Sequence, residues 1–320
     1  MRALAARQPA AIAAFEDVEV PIASGWRLES GDRLSDGCVR LRRFGARDGP
    51  QIVALGGISS GRHVCGDGGW WSPIMDGAVE LDRFGVIGFD FAPLDDEHVR
   101  ITPYDQARLM LHALGGAGVE RLHAFVGASY GAMVGLAFAA LAPERVARLC
   151  VISAAARASA QASGWRGVQR RTVAFALEHG DGAAGLSLAR QLAMMTYRSA
   201  EEFESRFEPG MAADGLCALD RYLIARGEAY VDAMPPRRWL SLSEAIDRFS
   251  IEPEAVKTPT LVAACPTDQL VPYAAMRDLA GRLPKLLGFY DLPSVYGHDA
   301  FLKERGLLTP LLRDFFEGGF

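Results

Sequence analysis

The chain has 320 residues, half of them hydrophobic and 23% charged, with a formal net charge of −5. That length suits one large α/β domain, or one with an insertion, and buries ample core. The balance excludes a polyanion-binding footprint: arginines gather at residues 166–171 and at Arg237 and Arg238, but acidic residues are spread throughout, so no nucleic-acid partner is expected. No apolar run approaches the roughly 18 residues of a membrane span, so no membrane association is expected. Residues 1–15 are Ala-rich with two arginines and lack a compact apolar segment and a cleavage pattern, which predicts a ragged or helical start, not a signal peptide. The five cysteines form no close pair and no metal-ligand spacing, so a reducing, cytoplasmic setting is expected, and Cys150 and Cys265 read as small core residues.

In chain order, residues 39–44 mix apolar and basic side chains as a half-exposed edge strand does. Gln51–Leu55 reads as a buried strand ending in Gly56 and Gly57. Residues 61–73, rich in Gly and aromatics, predict a structured loop, residues 84–91 a buried strand, and residues 103–114 a helix with Pro at its first turn. The apolar run before Gly127-Ala128-Ser129-Tyr130-Gly131, with small residues at helical spacing over 133–142, predicts strand, tight turn, helix. Residues 147–153 form another buried strand, and this alternation predicts a parallel, doubly wound sheet.

From residue 157 to 249 the character changes, with helical spacing over 169–177, 185–197, 200–207, 220–233 and 241–249. We read this stretch as a helical lid inserted into an α/β core formed by residues 1–156 and 250–320. The core pattern resumes with a strand at 259–265, a helix at 273–283, a strand at 286–292 and a closing helix at 301–316.

The Gly-x-Ser-x-Gly turn places the hydroxyl of Ser129 at the carboxyl edge of the sheet, and the helix behind it aims the Tyr130 N–H at whatever bonds to that hydroxyl. A nucleophilic serine needs a base and a carboxylate that fixes the base's tautomer. Asp268 follows the strand at 259–265 and His298 follows the strand at 286–292, and the order Ser, Asp, His after successive strands is that of the α/β-hydrolase fold. Plainer readings stand beside these: Asp268 as a cap for the helix near Tyr273, His298 as a loop histidine, and Asp299 as the orienting carboxylate, although a residue adjacent to His298 rarely curls back onto its own imidazole, which favours Asp268. The second oxyanion donor is expected on the Leu55 backbone N–H, with Gly56 close behind, each donor worth on the order of 10²–10³ in rate. His63 and His98 lie in loops near the sheet edge and are minor candidates for a substrate role. The other histidines have no ligand spacing, so no metal is expected.

Together these features resemble the homoserine O-acyltransferases, a family of the α/β-hydrolase superfamily. The similarity runs from about residue 50 to 305 and includes Gly69-Trp70-Trp71, the elbow around Ser129, residues 155–161, Val168-Gln169-Arg170, Thr196-Tyr197-Arg198-Ser199 and residues 296–302. The resemblance implies ping-pong acyl transfer from acyl-CoA, a co-substrate and not a bound cofactor, to the hydroxyl of L-homoserine through an acyl-Ser129 intermediate. It also implies that Arg190 and Asp299 hold the acceptor's carboxylate and ammonium, with Arg170 and Arg198 as lesser candidates, and that the protein is a homodimer through the lid. The apolar residues Met194, Met195, Tyr197 and Phe203 agree with such a dimer. Ala128, Tyr130 and Ala132 depart from the Gly, Met and Gly of many members, and the loop after Asp90 is shorter. The Gly56 to His63 loop looks more like members assigned as succinyltransferases than acetyltransferases. A succinyl donor needs an extra cation at the acyl end, from Arg62 or Arg166. Acetyl transfer, a serine acceptor and small-ester hydrolysis are the alternatives.

Overall fold

The computed structural model describes residues 15–320, so the expected ragged or helical start lies outside the described residues apart from Phe15. Eight strands form one sheet: β1 (Phe15–Pro21), β2 (Cys38–Gly45), β3 (Gln51–Leu55), β4 (Gly85–Phe89), β5 (Ala124–Ala128), β6 (Leu149–Ile152), β7 (Thr260–Ala264) and β8 (Leu286–Asp291). Their order across the sheet is β1-β2-β4-β3-β5-β6-β7-β8. Only β2 runs against its neighbours; every pair from β4 to β8 is parallel. The mostly parallel, doubly wound sheet expected from the alternation is therefore found.

Strands β3 to β7 are buried along their whole length, which is why they read as continuous apolar runs. Alternate residues face opposite sides: Val53 and Leu55 join one core layer, Ile52 and Ala54 the other. Helices α2 (Pro103–Gly116) and α3 (Tyr130–Leu141) pack on the first face, while α1 (Ser72–Ala78) lies on the second. The start of α2 is set by a capping box, Thr102 Oγ1 accepting from the Asp105 N–H and the Asp105 carboxylate accepting from the Thr102 N–H.

Five helices stand between β6 and β7: α4 (Ala160–Glu178), α5 (Gly182–Tyr197), α6 (Ala200–Arg206), α7 (Ala218–Val231) and α8 (Pro236–Arg248). Ser159, Asp181 and Ser199 accept from backbone N–H groups of the first turns of α4, α5 and α6. With that cap, α4 begins nine residues before the expected start at 169, since capping and packing against α5 and α8 outweigh the cost of Gly164 and Gly167. After α9 (Tyr273–Arg282) and β8, the expected closing helix is two: α10 (Ala300–Lys303) and α11 (Arg305–Glu317), separated at Glu304, whose ψ of 60° leaves the helical region. Helix α11 packs on the second face with α1, where Trp71 Nε1 donates to the Phe301 carbonyl at 2.8 Å. No described helix is long and apolar enough to cross a membrane.

Candidate active site

Pairing aligns Leu55 of β3 with Gly127 of β5, and Ala128 of β5 with Ile152 of β6, so the loops after these strands open at one edge. At that edge Ser129 joins β5 to α3 with φ 54° and ψ −122°. This is a conformation that non-glycine residues seldom adopt and that costs of order 1–3 kcal/mol. The packing of the turn holds it there. A Cβ on Gly131 would stand 2.5 Å from the Leu55 Cβ, and one on Gly127 would stand 2.4 Å from the Gly131 carbonyl oxygen, so only glycine lets strand and helix close so tightly. The Gly131 N–H donates to the Gly56 carbonyl at 2.8 Å, tying α3 to the loop after β3.

The Ser129 Oγ lies 2.8 Å from His298 Nε2, and His298 Nδ1 lies 2.7 Å from Asp268 Oδ2. The other Asp268 oxygen accepts from the N–H groups of Leu270 and Val271 at 2.8 and 3.0 Å, which fixes the carboxylate. Asp268 does not cap α9, whose first turn follows Pro272. Asp299 makes no hydrogen bond to the imidazole: its Oδ2 accepts from Arg198 Nε at 2.7 Å, and Arg198 in turn donates to Glu202 Oε1 at 2.7 Å. Burial works against protonated His298, but the charge of Asp268 and its hydrogen bond, followed by Asp299, outweigh it and raise the imidazole pKa.

Ser129 and His298 line a cavity of about 290 Å³ between the sheet edge and the inserted helices, together with Gly57, Arg166, Arg190 and Asp299. Arg190 of α5 makes no salt bridge among the described residues; its guanidinium lies 4.5 Å from the ring centroid of Tyr230 and 5.3 Å from that of Tyr197. Tyr230 Oη is 2.8 Å from Ser59 Oγ, joining α7 to the loop after β3.

Residues 52–304 match the family described as alpha/beta hydrolase fold. The homoserine O-succinyltransferase of Xanthomonas campestris pv. campestris is 39% identical over 290 residues, spanning 86% of this chain and 79% of that protein. The chain belongs to the homoserine O-acyltransferase family. Another member, the homoserine O-acetyltransferase of Deinococcus radiodurans, is 30% identical over 295 residues, covering 87% of this chain and 85% of its own. The homoserine O-acetyltransferase structure from Staphylococcus aureus shares the fold at a TM-score of 0.79 and 22% identity, with 94% of each chain covered.

Against that family background, Ser129, His298, Arg190 and Asp299 share one cavity, with Asp268 directly behind His298. Leu55 is 1% exposed, remains inside β3 and does not line the cavity, whereas Gly57 does. The strand runs on to Leu55, so its backbone belongs to the sheet, and the loop that follows it, from Gly57 to Ser60, is what borders the cavity. Tyr130 follows Ser129 as the first residue of α3, its side chain buried against Phe91 at 4.9 Å between centroids. Of the two extra cations, Arg62 is held by Asp90 and Asp17 away from the cavity; only Arg166 lines it. His63 stacks on Phe44 and His98 pairs with Glu244 at 3.1 Å; neither reaches the cavity. Arg170 and Arg198 are already engaged by carboxylates. Sequence reasoning missed Tyr230, which no motif marks, whereas Gly57 and Ser59 lie in the Gly56 to His63 loop that the sequence singles out without giving either a contact.

Proposed function

We propose that the chain transfers a succinyl group from coenzyme A to the hydroxyl of L-homoserine, a step of methionine biosynthesis, in two half-reactions through Ser129. The observation that carries this reading is that Ser129 and His298, backed by Asp268, share one cavity with Arg190 and Asp299. The succinyl donor is supported by the greater identity to the succinyltransferase relative, 39% against 30% for the acetyltransferase.

In the first half-reaction Ser129 Oγ attacks the thioester carbonyl carbon while His298 Nε2 takes its proton. The backbone N–H groups of Gly57 and Tyr130 receive the oxyanion, neither being engaged by a loop or cap acceptor among the described residues. Collapse breaks the C–S bond, the coenzyme thiolate leaves with the proton from His298, and an ester remains on Ser129. In the second, the homoserine hydroxyl gives its proton to His298 and attacks that ester; collapse returns the proton to Ser129 and releases the O-acyl product. Arg190 fits the acceptor's carboxylate and the free oxygen of Asp299 its ammonium, with Arg198 holding Asp299 in place. This proton relay is complete without a resident cofactor, acyl-CoA being consumed as a substrate.

The inserted helices act as a lid, since α4, α5 and α8 supply the walls that keep water from the acyl-enzyme. The proposed compartment is the cytoplasm, in line with cysteines that are all unpaired. A homodimer through the lid is supported by a set of exposed side chains that shares only Met195 with the set expected. Met194 and Phe203 are buried and Tyr197 lines the cavity, but Val168 and Phe175 of α4 and Leu188 and Met195 of α5 are exposed.

Release of free thiol from succinyl-CoA, followed with and without L-homoserine, tests the transfer. Release that rises steeply with homoserine and yields its O-succinyl ester is expected; release independent of homoserine means hydrolysis, and a response to serine alone changes the acceptor.

A further inference from the structure

Arg190, assigned above to the acceptor's carboxylate, has no hydrogen bond and no salt bridge among the described residues. What holds its guanidinium is aromatic: the rings of Tyr230 and Tyr197, with centroids at 4.5 and 5.3 Å. Tyr197 lines the cavity beside it, whereas Tyr230 is 7% exposed and stands outside the cavity wall. Tyr230 reaches Arg190 because α5 and α7 meet closely. A Cβ on Gly227 would stand 2.7 Å from the Ser187 carbonyl oxygen, so the contact needs glycine there. Tyr230 follows Gly227 by three residues on α7, and Arg190 follows Ser187 by three on α5, so each lies on the contacting face of its own helix.

The other end of Tyr230 touches a different part of the site. Its Oη is 2.8 Å from Ser59 Oγ. Ser59 belongs to the turn at residues 57–60, which is closed by the Ser60 N–H and the Ser60 hydroxyl, both donating to the Gly57 carbonyl, at 2.9 and 2.7 Å. All four residues of that turn line the cavity with Ser129. Burial pushes the Tyr230 phenol up to about 12, against the charge of Arg190 and the hydrogen bond with Ser59, so Tyr230 keeps its proton across the working range of His298. One buried side chain thus bears both on the cation and on the turn beside the nucleophile.

We propose that Tyr230 is a positioning residue with two separable duties: its hydroxyl holds the turn at residues 57–60 in place beside Ser129, and its ring holds the Arg190 guanidinium for the acceptor's carboxylate. This rests on the acyl-transfer reading above. An oxyanion forms in both half-reactions, so the hydroxyl serves both. The acceptor's carboxylate arrives only in the second, so the ring serves that one alone.

In a two-step transfer, kcat/KM for each substrate reports its own half-reaction, and the burst of thiol released before L-homoserine is added counts the active sites. The test is kcat/KM per active site for succinyl-CoA and for L-homoserine in wild type, Tyr230→Phe, Ser59→Ala, the double variant and Tyr230→Leu. Tyr230→Phe keeps the ring; it lowers both values about fivefold, the scale of one neutral hydrogen bond, and leaves their ratio unchanged. Ser59→Ala does the same, and the double variant loses no more than either alone, because a single contact has been cut from its two ends. Tyr230→Leu adds a further loss of about fivefold for L-homoserine only, the scale of a shielded cation–π contact. Wild-type values in Tyr230→Phe, losses that multiply in the double variant, or an unchanged ratio in Tyr230→Leu would each overturn the proposal while transfer to homoserine stands. A wild type that releases thiol no faster with L-homoserine present would overturn the acyl-transfer reading itself, whatever the variants do.

Discussion

His298 is where opposing influences on the chemistry meet. The charges of Asp268 and Asp299 raise its pKa against the effect of burial, and Arg166 pulls the other way. A base must be neutral to accept a proton, so activity falls as pH drops through that raised value. The acid limb of kcat/KM should therefore lie above the ordinary imidazole value of about 6.5. Asp268→Asn should lower kcat by about 10⁴ and move this limb to lower pH, because it removes both the favoured tautomer and the carboxylate charge. Steady-state rates across pH check both, and near-normal turnover would contradict the role given to Asp268. The three relay residues were legible because each follows a strand and the elbow spacing is distinctive. The choice between neighbouring carboxylates was legible too, since an aspartate adjacent to the imidazole in sequence does not curl back onto it, and Asp299 in fact bonds Arg198. The engagement of Arg62 was not, since it turns on partners 45 and 28 positions away.

At the scale of elements, uniform apolar runs revealed β3 to β7 because those strands are covered on both faces. The first turns of α4 escaped notice, since glycines mask a helix that tertiary packing and the Ser159 cap secure. Helix periodicity also identified apolar side chains on α5 and α6 without saying which face is inside, so Met194 and Phe203 were expected at a dimer contact and are buried instead. The outward faces are clear in three dimensions. Phe175 is 64% exposed and Leu188 56% exposed, and on each helix a second apolar residue lies seven positions away, Val168 and Met195. If two copies meet there, light scattering will give the mass of a dimer, and Phe175→Glu with Leu188→Glu will give a monomer. A monomeric wild type at micromolar concentration would remove the contact.

Across the whole molecule, topology does what no single motif can. The parallel order β3-β5-β6-β7-β8 brings the loops after β3, β5, β7 and β8 to one edge, so Gly57, Ser129, Asp268 and His298, spread over some 240 residues, converge. Three of the five helices between β6 and β7, α4, α5 and α8, line the cavity at that edge and contribute Arg190 and Arg166. The alternation of elements conveyed the plan. The side-chain partnerships across the cavity, such as Tyr230 with Ser59 or Asp247 with Arg166, arise only when distant helices pack, and no spacing encodes them. The central claim, a covalent acyl-enzyme on Ser129 that passes its acyl group to homoserine, is tested most directly by intact-mass measurement after brief exposure to succinyl-CoA and a chase with L-homoserine. The expected result is the mass of one added succinyl group, absent in Ser129→Ala and discharged by homoserine. No adduct, or one retained by Ser129→Ala, would contradict it.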